Sequence, residues 1–184
     1  GGMILTNDED LAVRAKHITT TAKVPHNWVF EHDEVGFNYR LPNISAALGL
    51  GQFENIQSVF KEKERIYKRY KDNLSSVKGV NIPKVRDWVS KYIMWVFNIY
   101  LDDNFPVNRD ELTKILKDKN IETRDAFVPI NKQQILIDKY KIFKENDCPN
   151  ANYIMDNGLY LPSGNNITNE EIDFICEEIK RITI

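Results

Sequence analysis

One long stretch of helical periodicity divides this sequence into two parts. From about residue 44 to residue 75, apolar residues recur at intervals of three and four, the spacing that places side chains on one face of an α-helix. An unbroken helix of that length would extend for roughly 45–50 Å at about 1.5 Å per residue. Gly49 and Gly51 each cost about 1 kcal/mol inside a helix, so the pattern predicts close packing there or a break. We interpret the helix as a connection between two domains.

The residues after this helix alternate between strand and helix signals. Residues 91–102 alternate with period two and are largely apolar on both faces, which predicts a strand covered on both sides. Further strands are predicted over 121–128 and 159–161, with short helices over 133–140 and 150–157. Two longer helices begin at capping boxes, which are Asn108 with Glu111 and Thr168 with Glu171. This order predicts a small α/β domain.

The residues before the long helix predict a strand, a helix and an irregular segment. Met3–Thr6 is an apolar run expected to be a buried strand, and Thr6 with Glu9 has the spacing of a capping box. Apolar residues then repeat at helical spacing from about Asp8 to Ile18. Three consecutive threonines end that helix, since β-branched residues are poor helix formers.

The irregular segment covers residues 25–43, PHNWVFEHDEVGFNYRLPN, and follows neither the helix nor the strand period. A long connection without secondary structure is usually functional or disordered. Disordered segments contain few aromatic residues, whereas this segment contains four. The composition therefore favours a functional loop.

The overall composition excludes several classes of protein. A formal net charge of −2 over 184 residues gives no electrostatic reason to expect a nucleic acid or an anionic membrane as a partner. No apolar run is long enough to span a bilayer, and the N-terminus does not have the pattern of a signal peptide. Two cysteines, Cys148 and Cys176, do not form a disulfide framework, so we expect a reduced, cytoplasmic setting.

Several common catalytic motifs are absent. His26 and His32 lie six residues apart among acidic residues, but this is not the spacing of a zinc site, and no metal site is expected. Neither cysteine lies in a catalytic motif, and the sequence contains no glycine-rich phosphate loop.

Two polar clusters remain as candidate sites. Asn38, Tyr39 and Arg40 lie just before a helix, and an amide and a guanidinium suit a phosphate or a carboxylate. The alternative is a turn stabilised by the asparagine, with the arginine in a surface ion pair. The second cluster, residues 124–131, ends a predicted strand, where ligand sites of α/β sheets tend to lie. Its alternative is a strand that merely exposes an arginine and an aspartate.

Four segments resemble, in order, signature regions of the DegT/StrS (DegT/DnrJ/EryC/StrS) sugar aminotransferases. They are GGMILTNDEDLA, VGFNYRLPNISAALGLGQFENI, IETRDAFVPINKQ and LYLPSGNNITNEEI. The resemblance implies a pyridoxal 5'-phosphate enzyme of the aspartate aminotransferase fold that moves an amino group from glutamate to a 4-keto nucleotide sugar. The segment from Thr19 to Asn43 is similar to the branch that acts on UDP-linked sugars for legionaminic-type acids. The region around Arg124 is similar to perosamine synthetases.

The resemblance also implies which part of the enzyme this is. Residues 1–43 would be the end of the large cofactor-binding domain, 44–78 the bridging helix, and 79–184 the small α/β domain. The lysine that forms the Schiff base would lie before Gly1. We therefore expect no catalytic residue in this chain and no activity from the chain alone.

The resemblance assigns roles to individual residues as well. Asn38 corresponds to the asparagine that reaches the cofactor phosphate of the neighbouring subunit in a homodimer, and Arg40 supports that contact. Substrate contacts are implied for a second set of residues, of which Asn131 departs from the family because many relatives carry His there. This set is Tyr39, His26, Trp28, Arg124, Phe127, Pro129 and Asn131.

Two other functions stay open at this point. A dehydratase of the same family would carry His in place of the Schiff-base lysine, which lies outside this sequence. A non-catalytic module would use the helix to dimerise and would bind a partner or nucleotide without chemistry. The leading expectation is an enzyme of cell-surface polysaccharide or nonulosonic acid biosynthesis.

Overall fold

A computed structural model describes residues 2–26, 28–141 and 148–183 of the chain. Contacts between residues divide the chain into two units, the first ending at Ile56 and the second beginning at Gln57. No helix in the described ranges combines the length and the apolar character needed to cross a membrane.

The first unit begins with helix α1, Glu9–Thr19. Its N-cap is Asp8, whose carboxylate accepts from the backbone N–H of Leu11 at 3.0 Å. The predicted capping box of Thr6 with Glu9 is therefore wrong. The Thr6 hydroxyl instead accepts from the Asp8 N–H at 3.1 Å, outside the helix. The Asp8 carboxylate lies two residues closer to the helix than the Thr6 hydroxyl, so it is better placed to accept from the free N–H group of Leu11.

Met3–Thr6 does not form the predicted buried strand. Met3 and Leu5 are exposed, and no strand of the described residues pairs with this segment. A strand needs the hydrogen bonds of a neighbour, so an apolar run alone does not produce one.

The segment 25–43 has no regular helix or strand over residues 25, 26 and 28–42, as predicted, but its arms pair with each other and with the end of α1. Two isolated antiparallel bridges join Thr20 to Asn38 and Lys23 to His32. We call residues 20–39, apart from Asn27, the folded-back loop. It is ordered by main-chain hydrogen bonds rather than by a ladder of regular strands.

The helix predicted from 44 to 75 is two helices, α2 (Asn43–Glu54) and α3 (Ile56–Leu74). Asn55 lies between them. Its backbone N–H donates to the Gln52 carbonyl at 3.2 Å, and its side-chain amide donates to the Gly51 carbonyl at 3.0 Å. An asparagine side chain that binds nearby carbonyls competes with the helical pattern, which explains a break here rather than at either glycine.

The second unit contains a four-stranded sheet. Its strands are β1 (Val80–Asn81), β2 (Phe97–Leu101), β3 (Arg124–Asp125) and β4 (Gly158–Leu161). The order is β1-β2-β4-β3, and every pair is antiparallel. The rule that places ligands at the carboxyl ends of strands applies to parallel sheets, so it does not support the second polar cluster.

Two predicted strands are shorter than expected. The strand predicted over 91–102 begins only at Phe97. Its alternate residues are fully and partly buried, so one face is covered and the other is covered in part. The strand predicted over 121–128 is reduced to β3, which pairs only with Leu159 and Tyr160 of β4. Pairing partners on the neighbouring strand set these lengths, and the sequence pattern does not contain them.

The helices of the second unit follow the sequence closely. They are α4 (Arg109–Asp118), α5 (Gln134–Asp138), α6 (Pro149–Asn157) and α7 (Asn169–Arg181), with a 3-10 helix at Ile130–Lys132. Both predicted capping boxes, at Asn108 and Thr168, are present. Residues of α3, α4, α7 and the sheet form one buried cluster. At its centre Tyr70 stacks on Phe97 at 4.5 Å and donates to the Pro162 carbonyl at 2.7 Å.

The two cysteines are both free, as predicted. Cys148 is exposed, whereas Cys176 lies within the buried cluster. Burial raises the pKa of the Cys176 thiol to about 12, so this side chain behaves as a small apolar residue.

Candidate functional site

The folded-back loop is attached to the last turn of α1 through main-chain hydrogen bonds. The N–H groups of Ala22, Phe37 and Tyr39 donate to the carbonyls of His17, Ile18 and Thr19 at 2.9, 2.7 and 2.9 Å. Carbonyls at a helix C-terminus lack intrahelical partners, and the loop supplies those partners. The loop is therefore held to the helix at several points along its length.

Close packing at Gly36 fixes the turn of the loop. A Cβ added at Gly36 would lie 2.4 Å from the Ala22 backbone nitrogen, far inside van der Waals contact. Thr21 and Ala22 both have positive φ, at 74° and 50°, which side-chain-bearing residues rarely adopt. Ala22 is completely buried. The chain thus accepts unfavourable backbone geometry in order to bring these two segments together.

An ion-pair network closes the outside of the loop. Arg14 donates to both carboxylate oxygens of Glu34, and His17 Nε2 lies 2.8 Å from Asp33 Oδ1. The hydrogen bond to His17 lowers the pKa of Asp33, and the hydrogen bond from Arg14 lowers the pKa of Glu34. The groups are largely exposed, so the network orients the loop more than it stabilises the fold.

Ligand atoms of His17, Asp33 and Glu34 lie within 4.8 Å of one another, which is close enough to hold a cation. Because Arg14 already donates to both carboxylate oxygens of Glu34, we interpret the cluster as an ion-pair network. The two histidines considered in the sequence analysis belong to turns. His26 Nδ1 accepts from the N–H groups of Trp28 and Val29, and His32 Nδ1 lies 2.7 Å from the Thr21 carbonyl.

Asn38 is the exposed polar residue of the loop's second arm. Phe37 and Tyr39 stack on each other at 5.2 Å and 10°, and because side chains alternate along an extended chain, Asn38 projects to the opposite face. Within residues 2–26, 28–141 and 148–183, no hydrogen bond to the Asn38 side chain is found. The alternative of an asparagine that stabilises its own turn is therefore not what the structure contains.

Arg40 and Tyr39 border a groove of about 880 Å³ between α1 and the residues that lead into α2. One guanidinium nitrogen of Arg40 donates to the Thr20 carbonyl at 3.3 Å. No carboxylate of the described residues pairs with Arg40, so the surface ion pair considered as its alternative is also not found. The remaining donors of this arginine are free for an anion.

The tip of the loop carries His26 and Trp28, for which the family resemblance implies substrate contacts. Trp28 is 88% exposed, and His26 is exposed beside it. Phe30 packs under the ammonium of Lys23, 4.0 Å from the ring centre. The tip therefore presents the exposed ring of Trp28 on its surface.

A second candidate site lies in the second unit, in a groove of about 490 Å³ that we call the aromatic groove. Its ring surfaces come from Trp95, Phe127 and Tyr160, and its charged residues are Lys63, Glu122 and Arg124. Trp95 and Phe127 are nearly parallel, at 6.0 Å and 16°, and Phe127 meets Tyr160 at 5.3 Å and 55°. Trp95 is 71% exposed and Phe127 is 63% exposed.

Lys63 of α3 fixes the base of the aromatic groove. Its ammonium donates to the Trp95 carbonyl at 3.0 Å and to the Ser163 carbonyl at 2.7 Å. The Ser163 hydroxyl in turn accepts from the Phe97 N–H at 3.1 Å. Burial lowers the pKa of Lys63. These bonds join the segment before β2 to the segment after β4.

The structure separates the residues predicted in this region. Arg124 and Phe127 line the aromatic groove, whereas Pro129 and Asn131 do not. Pro129 precedes the 3-10 helix, and the buried side chain of Asn131 donates to Asn152 at 2.9 Å.

The sequence analysis predicts only Arg124 and Phe127 among the residues that line the groove, and it misses Lys63, Trp95 and Tyr160 in particular. Trp95 lies within the period-two pattern of residues 91–102, which predicts a covered strand residue at this position. A sequence signal for this region is the run Pro162, Ser163 and Gly164 directly after a predicted strand, because such residues favour turns and mark the end of a strand.

The sequence is similar to those of known proteins. Residues 1–180 match the DegT/DnrJ/EryC1/StrS aminotransferase family. The GDP-perosamine synthase of Escherichia coli O157:H7 is 34% identical over 179 residues, which are 97% of this chain and 46% of that protein. The dTDP-4-amino-4,6-dideoxy-D-glucose transaminase of Shigella dysenteriae is 24% identical over 185 residues, 99% of this chain and 48% of that protein.

Solved structures are similar as well. PseC of Helicobacter pylori, an aminotransferase involved in the biosynthesis of pseudoaminic acid, superposes with a TM-score of 0.80 at 19% identity. The match covers 97% of this chain and 47% of that one. At this identity the likeness establishes the fold. The chain spans about half the length of the relatives it matches.

Proposed function

Because the chain belongs to the DegT/DnrJ/EryC1/StrS aminotransferase family, we propose that it is the C-terminal part of a nucleotide-sugar aminotransferase. The reaction moves an amino group from glutamate to the keto carbon of a 4-keto-6-deoxy nucleotide sugar. Its product serves cell-surface polysaccharide or nonulosonic acid biosynthesis. In this proposal residues 1–43 complete the large cofactor-binding domain and residues 79–184 are the small domain.

The observation that carries the proposal is the fixed, exposed amide of Asn38. The flanking backbone is bonded to the end of α1, so the side chain is presented from a rigid support. Its N–H group has no partner in the described part of the chain, and it suits a phosphate oxygen. Arg40, with free guanidinium donors, adds positive charge beside it. These donors fit the phosphate of pyridoxal 5'-phosphate.

When bound, pyridoxal 5'-phosphate carries the amino group from glutamate to the sugar. The residues of this chain hold and orient it. Asn38 donates to the phosphate of the cofactor in the neighbouring subunit of a homodimer, and Arg40 supports the same phosphate. No residue of this chain moves a proton in the reaction, so the chain alone does not transaminate.

On the substrate side, Arg124 and Phe127 contact the nucleotide sugar from the small domain. Tyr39 and the tip residues His26 and Trp28 contact it from the folded-back loop. Pro129 and Asn131 lie two and four residues after Phe127, and Asn131 fixes that segment through its bond to Asn152. Holding a substrate in a reactive orientation is itself a large part of catalysis.

The test uses the full-length protein with pyridoxal 5'-phosphate, glutamate and a panel of GDP-, UDP- and dTDP-linked 4-keto-6-deoxy sugars. We expect 2-oxoglutarate to form together with an amino sugar, which mass spectrometry identifies. Loss of a sugar hydroxyl without consumption of glutamate would instead establish the dehydratase. Binding without any reaction would establish the non-catalytic module.

The dimer is tested by mixing two inactive variants. One carries Asn38→Ala, and the other is inactivated in the N-terminal half of the full-length protein. If Asn38 serves the neighbouring subunit, mixed dimers contain one intact site and the mixture recovers activity. If Asn38 serves its own subunit, the mixture stays inactive, because each mixed dimer then has one defect in each site.

A further inference from the structure

We propose that the aromatic groove binds the nucleobase of the substrate, with Trp95 and Phe127 as its stacking surface and Lys63 and Arg124 as the charges for its phosphates. The identity of the ligand as a nucleotide sugar rests on the proposed function. The assignment of a planar, anionic ligand to the groove rests on its exposed rings, on the bonds that hold them and on its charges.

The two rings of the stacking surface are exposed. Trp95 is 71% exposed and Phe127 is 63% exposed, although both contact other aromatic side chains. Their near-parallel, offset arrangement leaves part of each ring face uncovered. Exposed aromatic side chains that lie next to each other often mark a binding site.

The segments that carry the rings are held in place by hydrogen bonds within the protein. The backbone of Trp95 is fixed by Lys63, and the N–H of Phe127 is 3.4 Å from the Tyr160 hydroxyl. Tyr160 itself belongs to β4, at the centre of two strand pairs. A surface ordered in advance loses little conformational freedom on binding, which favours affinity.

The aromatic groove carries two cations that are available to an anion. Lys63 and Arg124 form no ion pair with any carboxylate of the described ranges, and Glu122 is the only acidic residue among those that line the groove. The Lys63 ammonium has three N–H donors, of which two reach carbonyls. One ammonium donor and the Arg124 fork therefore remain for an anion.

Together these features select a ligand that is both planar and anionic. A sugar ring has no π face, whereas every nucleobase has one and stacks on aromatic residues without regard to its identity. A groove of about 490 Å³ falls in the size range of small-molecule sites. A nucleoside diphosphate satisfies both requirements, with its base on the rings and its phosphates at the cations.

The test measures binding of UDP, GDP and dTDP to the full-length protein by isothermal titration calorimetry. We expect Trp95→Ala to weaken nucleotide binding about ten-fold, since stacking on one aromatic residue contributes that much. Trp95→Phe, which keeps a ring, is expected to stay within about three-fold of the wild type. Inorganic pyrophosphate, which has no base, is expected to bind the wild type and Trp95→Ala equally.

Trp88→Ala is the matched control, because Trp88 is a tryptophan of the same unit that is 84% exposed and does not line the groove. It is expected to bind nucleotide like the wild type. Equal nucleotide affinities for Trp95→Ala and Trp88→Ala would overturn the proposal. Phe127→Ala provides a second removal of the surface, and circular dichroism of each variant confirms that it is folded.

Steady-state kinetics separate this inference from the proposed function. If both hold, Trp95→Ala raises KM for the nucleotide sugar and leaves KM for glutamate unchanged. Amino transfer with identical kinetics for Trp95→Ala and Trp88→Ala would refute the groove and keep the aminotransferase. Base-dependent binding at the groove without amino transfer would keep the groove and refute the aminotransferase.

Discussion

The two units of this chain are ordered by different means. The second unit has a cluster of 18 buried apolar residues drawn from its sheet and helices. In the first unit, over residues 2–26 and 28–56, only Ala22 is buried, and neither α1 nor α2 has a buried residue. The first unit is held instead by main-chain bonds and ion pairs around the folded-back loop. Apolar burial therefore orders the second unit, whereas hydrogen bonds and ion pairs order the described residues of the first.

The largest effect is expected from equal truncations in the two units. Leu116→Ala removes a completely buried side chain and should lower the free energy of unfolding by about 2–5 kcal/mol. Leu48→Ala, at a side chain that is 66% exposed, should change it by less than about 0.5 kcal/mol. Urea denaturation of the 184-residue chain measures both. A similar loss for Leu48→Ala would mean that α2 is buried in solution, and the comparison would fail.

A loop residue that presents a side chain should affect binding and leave stability unchanged. Asn38→Ala removes a donor to an anionic phosphate, worth about 1.5–3 kcal/mol, and should weaken pyridoxal 5'-phosphate binding about 10- to 100-fold in the full-length protein. Asn38→Asp should weaken it further, because a carboxylate repels the phosphate. The midpoint of urea unfolding should not move for either variant. A stability loss without a binding loss would assign Asn38 to the fold.

Two glycines offer a sharper version of the same comparison within the first unit. Gly36→Ala places a methyl group 2.4 Å from the Ala22 nitrogen and should destabilise the folded-back loop by about 1–3 kcal/mol. Gly49→Ala, with no atom within 4 Å of the new Cβ, should instead stabilise α2 by about 0.5–1 kcal/mol. Hydrogen exchange of the Ala22 and Tyr39 amides should accelerate only in Gly36→Ala. Unchanged exchange there would show that the two arms are not closely packed.

The smallest effect is expected from acid. The pKa values of Asp33 and Glu34 are lowered from 3.8 and 4.5 by His17 and Arg14, so their stabilising pairs are complete above those values. As the pH falls through the lowered values, both carboxylates take up protons and the pairs are lost. Hydrogen exchange should therefore reveal opening of the loop below about pH 4 while the second unit stays folded. Arg14→Gln should remove part of this pH dependence, and an unaltered profile would argue against the network.

Much of the second unit could be predicted from the sequence because its signals are local. The capping boxes of α4 and α7 and the helices α5 and α6 lie where the residues indicate, since a cap and a helical period act over a few positions. The strands were overestimated, because a strand ends where its neighbour ends. Only the structure shows that β3 meets two residues of β4.

The candidate sites were predicted in part. The family resemblance is confirmed by the match over residues 1–180, and it led to Asn38 and Phe127. It gave no indication of Lys63, which lies far along the chain from Trp95 and Ser163 and meets their carbonyls only in the folded chain. The role of Asn38 is a prediction that its two variants test, and the roles of Arg40 and Arg124 stay predictions.

The two bridges of the folded-back loop separate its tip from the segment that carries Asn38. The bridge between Lys23 and His32 closes the tip, and the bridge between Thr20 and Asn38 lies nearer to α1. Insertions, deletions or exchanges between Val24 and Glu31 therefore leave the register of Asn38 intact. Under the function proposed above, a lineage could change the tip, with His26 and Trp28, to accept a new sugar while Asn38 kept its contact with the cofactor. Grafting tips between relatives is the corresponding route for engineering substrate range.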